Sequence, residues 1–368
     1  YSWYLWHWPL IVYASVVWPA ASWTSLVPAV AALVPAWLSF RYVENPIRFN
    51  PRLKGRSVLA LSAACVIAPL GACLGLRAIS DGLARTPTLQ AYARSQTMHL
   101  DVTAGCQATP LADQAENCEW GAKNGRAPVV LLGDSNASQF SEPVVEAARQ
   151  ADYKARISTM NYCPFLDVTL LRDRRDWEAE ACRSFYEQNL RTLLATKPSL
   201  VIVAARTDAY LGSAIYKLRD DAKGFERATT SKKRLWYDGL RSTISTLNDH
   251  DIPVVVVHPV PALKYSVNDC AVIRILTRSC ASSVKRSVVD QELRDAIDVE
   301  DAATAPSPTS TTLDTKDELC DETRCRGVEG DNLLYRDNTH LSIDAAESLT
   351  RTFYDAIVEN ARRDADGS

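Results

Sequence analysis

Two short stretches about two hundred residues apart hold the residue types that together activate a hydroxyl. The first is VVLLGDSNASQF at 129–140, an apolar run that enters Gly133-Asp134-Ser135. A serine hydroxyl is a poor nucleophile until a base takes its proton. The second stretch, YRDNTHLS at 335–342, offers such a base in His340, with Asp337 three residues before it. A spacing of three puts both side chains on one face of a helical turn. The carboxylate can then orient the imidazole while Nε2 faces Ser135, which is the logic of a Ser-His-Asp triad. Gly133 permits a tight turn, and the N-terminus of a following helix offers backbone N–H groups to a developing oxyanion. A plainer reading makes Gly-Asp-Ser an ordinary turn and Asp337 and His340 helix-capping residues; spacing alone leaves both open.

The elements that must position these residues alternate. PVVLLGD (128–134), ARISTM (155–160), SLVIVAA (199–205) and IPVVVVHP (252–259) are β-branched and nearly continuously apolar, as parallel strands covered on both faces are. Helices are expected near 138–151, 180–196 and 232–249, with a last one over 342–363. Strand–helix alternation predicts a parallel α/β sandwich. Its sites form at the carboxyl ends of the strands, which is where Ser135 falls. Residues 301–331 read as a surface insertion, and 81–127 as a connector. No repeat is visible.

The first 40 residues contain no Asp, Glu, Lys or Arg and hold six of the nine Trp. The rest is richly charged, with a net charge of −3 overall, so bulk charge points to no nucleic-acid partner. A crossing helix takes about 20 residues. Three spans fit, at roughly 3–19, 24–40 and 57–76, with Trp at their ends as in interfacial belts. Buried soluble helices are the alternative. RYVENPIRFNPRLKGR between the second and third spans carries Arg41, Arg48, Arg52, Lys54 and Arg56 against Glu44 alone. The positive-inside rule puts that loop in the cytoplasm and everything after about residue 80 outside it. The run opens at Tyr1 inside an apolar stretch, without the pattern of a signal peptide, and reads as a fragment of a longer chain.

Of ten cysteines, Cys65 and Cys73 fall in the third span and are expected to be free thiols. The other eight are close neighbours in sequence: Cys106 and Cys118, Cys163 and Cys182, Cys270 and Cys280, Cys320 and Cys325. An even count in an exported domain reads as disulfides, with local pairing the simplest connectivity. Zinc is the rival reading, but no Cys-x-x-Cys is present and no metal is expected.

Gly-Asp-Ser closing a first strand, with Asp-x-x-His before the last helix, resembles the SGNH (GDSL-like) hydrolase superfamily over 128–368. The resemblance implies Ser135 as nucleophile, His340 as base and Asp337 as the orienting acid in a three-layer α/β/α domain. HPVPAL at 258–263 is similar to the Pro-x-Pro stretch after a late strand of such domains. YSWYLWHWPLIVYA followed by RYVENPIR resembles the last core helices of acyltransferase family 3 membrane proteins. Together they imply 1–80 as the end of a membrane bundle, 81–127 as a periplasmic linker and 128–368 as the SGNH domain. The implied protein is a multi-pass inner-membrane O-acyltransferase, most simply an O-acetyltransferase, modifying a cell-surface polysaccharide. Its ultimate donor is acyl-CoA, handled by earlier membrane helices absent from this sequence, and no cofactor is bound. An extracytoplasmic carbohydrate esterase and a catalytically silent glycan-positioning module are the alternatives.

The sequence departs from SGNH enzymes where these draw oxyanion donors from a Gly and an Asn. The matching strand end reads AARTDAY, with Arg206 and Thr207, and Asn136 follows Ser135 where the fused subfamily usually has His. Arg206 can donate to substrate or form a surface ion pair, and Asn136 can bond within its loop. His7 lies in the membrane signature, and an intramembrane polar residue is a functional candidate. His258 ends a strand and is the reserve base, whereas His99 and His250 read as solvated.

Overall fold

The computed structural model describes residues 2–18, 22–51, 53–172, 176–264, 266 and 283–362. The chain forms two compact units, with the boundary at Ala93 and Arg94. The described part of the first is helical: α1 Ser2–Val17, α2 Leu26–Arg48 and α3 Arg56–Ala84. The α2 and α3 helices, at 23 and 29 residues, are long and apolar enough to cross a bilayer. The α1 helix has 16 residues, short of the length a crossing takes, and residues 19–21 lie outside the described ones. Buried Ala14, Ala32 and Ala36 let α1 and α2 approach closely. Trp3 Nε1 donates to Ala29 O at 2.9 Å, and Ser2 Oγ to Glu44 Oε2 at 2.7 Å. Glu44 falls in a π-helical turn, Phe40–Glu44, so the stretch expected to leave the helix at residue 40 stays helical to Arg48. His7 Nδ1 lies 2.8 Å from Tyr4 O. Cys65 and Cys73 are free and exposed on α3.

The second unit is an α/β sandwich. Among its strands and helices are β1 Glu119–Gly121, β2 Arg126–Gly133, α4 Ser135–Ser138, α5 Ser141–Gln150, β3 Tyr153–Thr159, β4 Leu170–Arg172, α6 Asp176–Thr196 and β5 Leu200–Ala204. They continue with α7 Thr207–Gly212, β6 Tyr216–Asp220, β7 Gly224–Glu226, α8 Thr229–Asn248, β8 Val254–Val257, β9 Ser283–Lys285, α9 Arg286–Thr304, β10 Ser310–Leu313, α10 Ile343–Glu347 and α11 Thr350–Asn360. The main sheet has the order β1-β3-β2-β5-β8-β10. Only β1, at one edge, pairs antiparallel. The unbroken apolar run Val129–Leu132 of β2 follows from burial of both faces. Val129 and Leu131 pack with Phe140, Val144 and Phe353 of one core, and Val130 and Leu132 with Leu193, Trp236 and Ile244 of the other. Helices therefore cover both faces, which gives the three layers.

Three expectations change. Residues 301–331 are not an insertion throughout: α9 reaches Thr304, and β10 is a parallel edge strand on β8. The Ser/Thr-rich composition hides it because an edge strand has one ladder and a part-exposed face. The last helix breaks into α10 and α11. Ser348 Oγ donates to Ala345 O at 2.7 Å, and the Leu349 amide turns to Ala346 O instead, tightening the turn. Within 81–127, β1 belongs to the main sheet. Disulfides join Cys106–Cys118, Cys163–Cys182 and Cys320–Cys325; the Cys270 and Cys280 pair lies outside the described residues.

Candidate active site

The β2 strand ends on Gly133 with φ +145°. A Cβ there would lie 1.8 Å from Ala204 O at the end of β5 and 2.9 Å from Ala137 Cβ. Only glycine lets the two strand ends sit this close and the chain turn into α4. Asp134 then caps α4. Its Oδ1 accepts the Asn136 amide at 2.7 Å, and its Oδ2 accepts the Arg206 amide at 3.0 Å and the Tyr210 hydroxyl at 2.7 Å. Burial raises this carboxyl, and the bonds from Tyr210, Arg206 and Asn136 oppose that. One buried carboxylate thus ties the Ser135 turn to the loop after β5.

Across from it, His340 Nε2 lies 2.9 Å from Ser135 Oγ, and His340 Nδ1 lies 2.7 Å from Asp337 Oδ2. Ser135, His340 and Asp337 form one hydrogen-bonded line, as their residue types predicted. The local conformation differs from the expected helical turn. Residues 336–340 are bends closed by an isolated bridge between Tyr335 and Leu341. Asp337 Oδ1 accepts the amides of Thr339 at 2.8 Å and His340 at 2.9 Å. A short Asp side chain bonding its own backbone competes with helix, and here it wins. Burial works to raise the Asp337 carboxyl, but the His340 bond and charge and the two amides hold it well below the usual carboxylate range.

The loop is anchored from several sides. Tyr335 donates its hydroxyl to Pro261 O at 2.8 Å, and the Leu263 amide donates to Asn338 O at 2.7 Å. HPVPAL therefore braces the base loop. Leu341, next to the base, is held at both backbone groups. Its amide donates to Gln139 Oε1 at 2.8 Å, and its carbonyl lies 3.1 Å from His99 Nε2. His99 Nδ1 is 2.7 Å from Glu142 Oε2. His99 is thus buried in a bonded relay, not solvated: the fold brings a sequence-distant carboxylate and carbonyl to it. His250 is half-buried, with Nδ1 2.9 Å from Thr246 O.

The remaining candidates are placed as follows. Asn136 is buried; Gln139 Nε2 donates to its Oδ1 at 3.2 Å, and its Nδ2 is a buried donor with no partner among the described residues. The Leu341 amide fixes the Gln139 oxygen, which in turn fixes the Asn136 oxygen, so Nδ2 is the end left over. The Asn136 amide is taken by Asp134, which removes one N–H expected for an oxyanion. Arg206 contributes its amide to Asp134, and its guanidinium lies 3.6 Å from Asp208. His258 is buried with Nδ1 2.8 Å from Glu300 Oε2, and Glu300 also bonds Thr207 Oγ1. That cluster occupies the reserve base, and the imidazole that meets Ser135 is His340. Sequence reasoning passed over Asp134, Gln139 and Glu142. The Gly-Asp-Ser motif and the one-turn spacing of Ser135 and Gln139 were the available signals.

Residues 105–355, more than half of the chain, match the family described as SGNH domain (fused to AT3 domains). No curated protein matches. Among solved structures, the periplasmic domain of a lipopolysaccharide acetyltransferase from Salmonella ser. Paratyphi A is similar at a TM-score of 0.50 and 16% identity, covering 75% of this chain and 98% of that one. That likeness is one of fold. A Bacteroides fragilis protein assigned as an acylhydrolase aligns at a TM-score of 0.35 and 12% identity over 65% of this chain and 90% of that one, too distant to argue from. With the family match spanning both the Ser135 turn and the His340 loop, the chain belongs to the SGNH domain family of the kind fused to AT3 domains.

Proposed function

We propose that this protein carries an acyl group, most simply acetyl, on Ser135 and passes it to a hydroxyl of a cell-surface polysaccharide. The observation that carries the reading is the line Ser135 Oγ–His340 Nε2 at 2.9 Å and His340 Nδ1–Asp337 Oδ2 at 2.7 Å. Ser135 Oγ attacks the acyl carbonyl as Nε2 takes its proton, and His340 returns that proton to the leaving group. A glycan hydroxyl then loses its proton to His340 and attacks the Ser135 ester, and His340 passes that proton to Ser135 Oγ as the serine leaves. Asn136 Nδ2 supplies a donor to the oxyanion in both steps. That no described residue bonds this buried donor supports this, because an unsatisfied buried donor costs about 1–3 kcal/mol that an incoming oxygen would recover. By this reading the N-terminal helices are the end of an acyltransferase family 3 bundle in the inner membrane. That bundle delivers acyl groups from cytoplasmic acyl-CoA to an extracytoplasmic domain.

One observation favours hydrolysis as a second reading: the His340 and Asp337 side chains are 18% and 24% exposed, so water reaches the base. The full chain in detergent, oxidised, tests both. A fluorophosphonate probe should label Ser135, and Ser135→Ala and His340→Ala should each abolish labelling. The fate of a labelled acetyl group, saccharide or water, then separates transferase from esterase. Absence of labelling on the folded protein refutes the acyl-enzyme and leaves a glycan-positioning module.

A further inference from the structure

Tyr162 is a large side chain held in an unfavourable backbone conformation and left exposed. Its φ is +61°, a region glycine enters freely and bulky residues enter at a cost. Burial does not repay that cost, since the residue is 48% exposed. Nor is the ring mobile. The Arg172 guanidinium carbon stands 3.7 Å from its centroid, and Arg172 is itself fixed by a two-bond pair with Glu178 at 3.0 and 2.8 Å. The next residue, Cys163, is anchored to α6 by its disulfide to Cys182. Strain kept in place by surrounding structure is characteristic of ligand sites.

The place matters as much as the strain. The Met160 amide donates to Gly133 O at 3.0 Å, and Gly133 is two residues before Ser135. Tyr162 follows Met160 by two residues, about 7 Å of chain at most, so it stands at the nucleophile's edge of the sheet. A second path leads there. Arg172 is the register partner of Tyr216, Tyr216 packs edge-on against Tyr210 at 4.8 Å, and Tyr210 bonds Asp134. Trp177, beside Glu178 in sequence, is 69% exposed. Two exposed aromatics thus accompany one fixed guanidinium–carboxylate pair.

We propose that Tyr162 is the platform on which a sugar ring of the acceptor polysaccharide stacks, on the ring face opposite the one the Arg172 guanidinium covers. This rests on the reading of Ser135 as an acyl carrier. The C–H face of a pyranose carries partial positive charge and meets the negative face of an aromatic ring. The Arg172–Glu178 pair holds the opposite face of the Tyr162 ring and so fixes the platform. A ring already locked in place loses little entropy on binding. The ligand class is a neutral or weakly charged saccharide chain.

The test uses the oxidised full chain in detergent, with p-nitrophenyl acetate as donor and hexasaccharides of N-acetylglucosamine, xylose and glucose as acceptors. Tyr162→Ala should raise the acceptor KM about 3- to 10-fold with kcat for transfer held. Tyr162→Trp should keep the wild-type KM. Tyr162→Gly, relieved of backbone strain, should keep or raise the melting temperature and still lose acceptor affinity as Tyr162→Ala does. A wild-type KM in Tyr162→Ala, or a Tyr162→Trp defect equal to that of Tyr162→Ala, overturns the platform. So does a wild-type protein whose Ser135 is labelled by fluorophosphonate but which accepts none of the three saccharides. A protein whose Ser135 is not labelled at all overturns the acyl-carrier reading, and the platform falls with it.

Discussion

Replacing Asp337 by Asn removes one charge and exchanges one carboxylate oxygen for an NH2 group at almost unchanged shape, and the geometry dictates how the new amide must sit. Asp337 Oδ1 accepts two backbone amides, at 2.8 and 2.9 Å, while Oδ2 faces His340 Nδ1 at 2.7 Å. In Asp337→Asn the amide oxygen must stay with the two N–H donors. The NH2 group then faces Nδ1, which becomes an acceptor, and the imidazole proton moves to Nε2, pointing at Ser135 Oγ. His340 can no longer take the serine proton. The opposite orientation keeps the working tautomer but confronts two backbone donors with a third, at about 1–3 kcal/mol for each unsatisfied group. The working orientation is therefore disfavoured by about 2–6 kcal/mol, a population of roughly one in 30 to one in 10⁴. The rate of Ser135 labelling by fluorophosphonate and kcat for p-nitrophenyl acetate should fall by that factor, with a limited drop in melting temperature at neutral pH because the charge is lost while the turn survives. Asp337→Ala, which loses the turn as well, should lower the melting temperature further. A folded Asn variant within about five-fold of wild type would falsify the tautomer argument. The charge also sets a pH dependence. The folded-state value of Asp337 is depressed, so its stabilisation is present above the unfolded value of about 3.9 and is lost as pH falls through the folded one. The stability gap between wild type and the Asn variant should therefore close in acid and stay open at neutral pH.

Gly133→Ala places a methyl 1.8 Å from Ala204 O at a φ of +145°. Backbone must move, so a loss above about 3 kcal/mol is expected in the urea midpoint, and a loss under about 1 kcal/mol counts against the close strand approach. Asp134→Asn sets an amide nitrogen against either the Asn136 amide or the Arg206 amide, because both carboxylate oxygens now accept. A loss of about 1–3 kcal/mol is expected by thermal unfolding, and an unchanged melting temperature would show that Asp134 is not the tie between the two loops.

Much of this protein was legible from short-range pattern. Continuous β-branched runs give parallel strands because burial on both faces is a local demand on composition, and 128–134 and 199–205 correspond to β2 and β5 within two residues at either end. The three residues of the hydrogen-bonded line, Ser135, His340 and Asp337, were legible by type, since few side chains activate a hydroxyl. Their conformation was not: a spacing of three suits a helical turn, and here a carboxylate bonded to its own backbone replaced it. The same limit hid β10, whose Ser and Thr residues are strand-forming only once β8 lies beside them.

The sequence by itself determined the chemistry available: a serine in a glycine turn at the end of an apolar strand, a histidine three residues after an aspartate, apolar helices without charge, and cysteines in close pairs. Only the tertiary structure decided which groups meet. Ser135 and His340 are 205 residues apart, and their 2.9 Å contact exists because the sheet and the braced loop bring two chain segments to one edge. His99 shows the same thing from the other side. Its polar surroundings in sequence suggest solvent, yet Glu142 and Leu341 close over it. The physical reason is common to both. Propensity and periodicity act over a few residues, whereas a buried polar group is held by whatever partner the packed fold delivers.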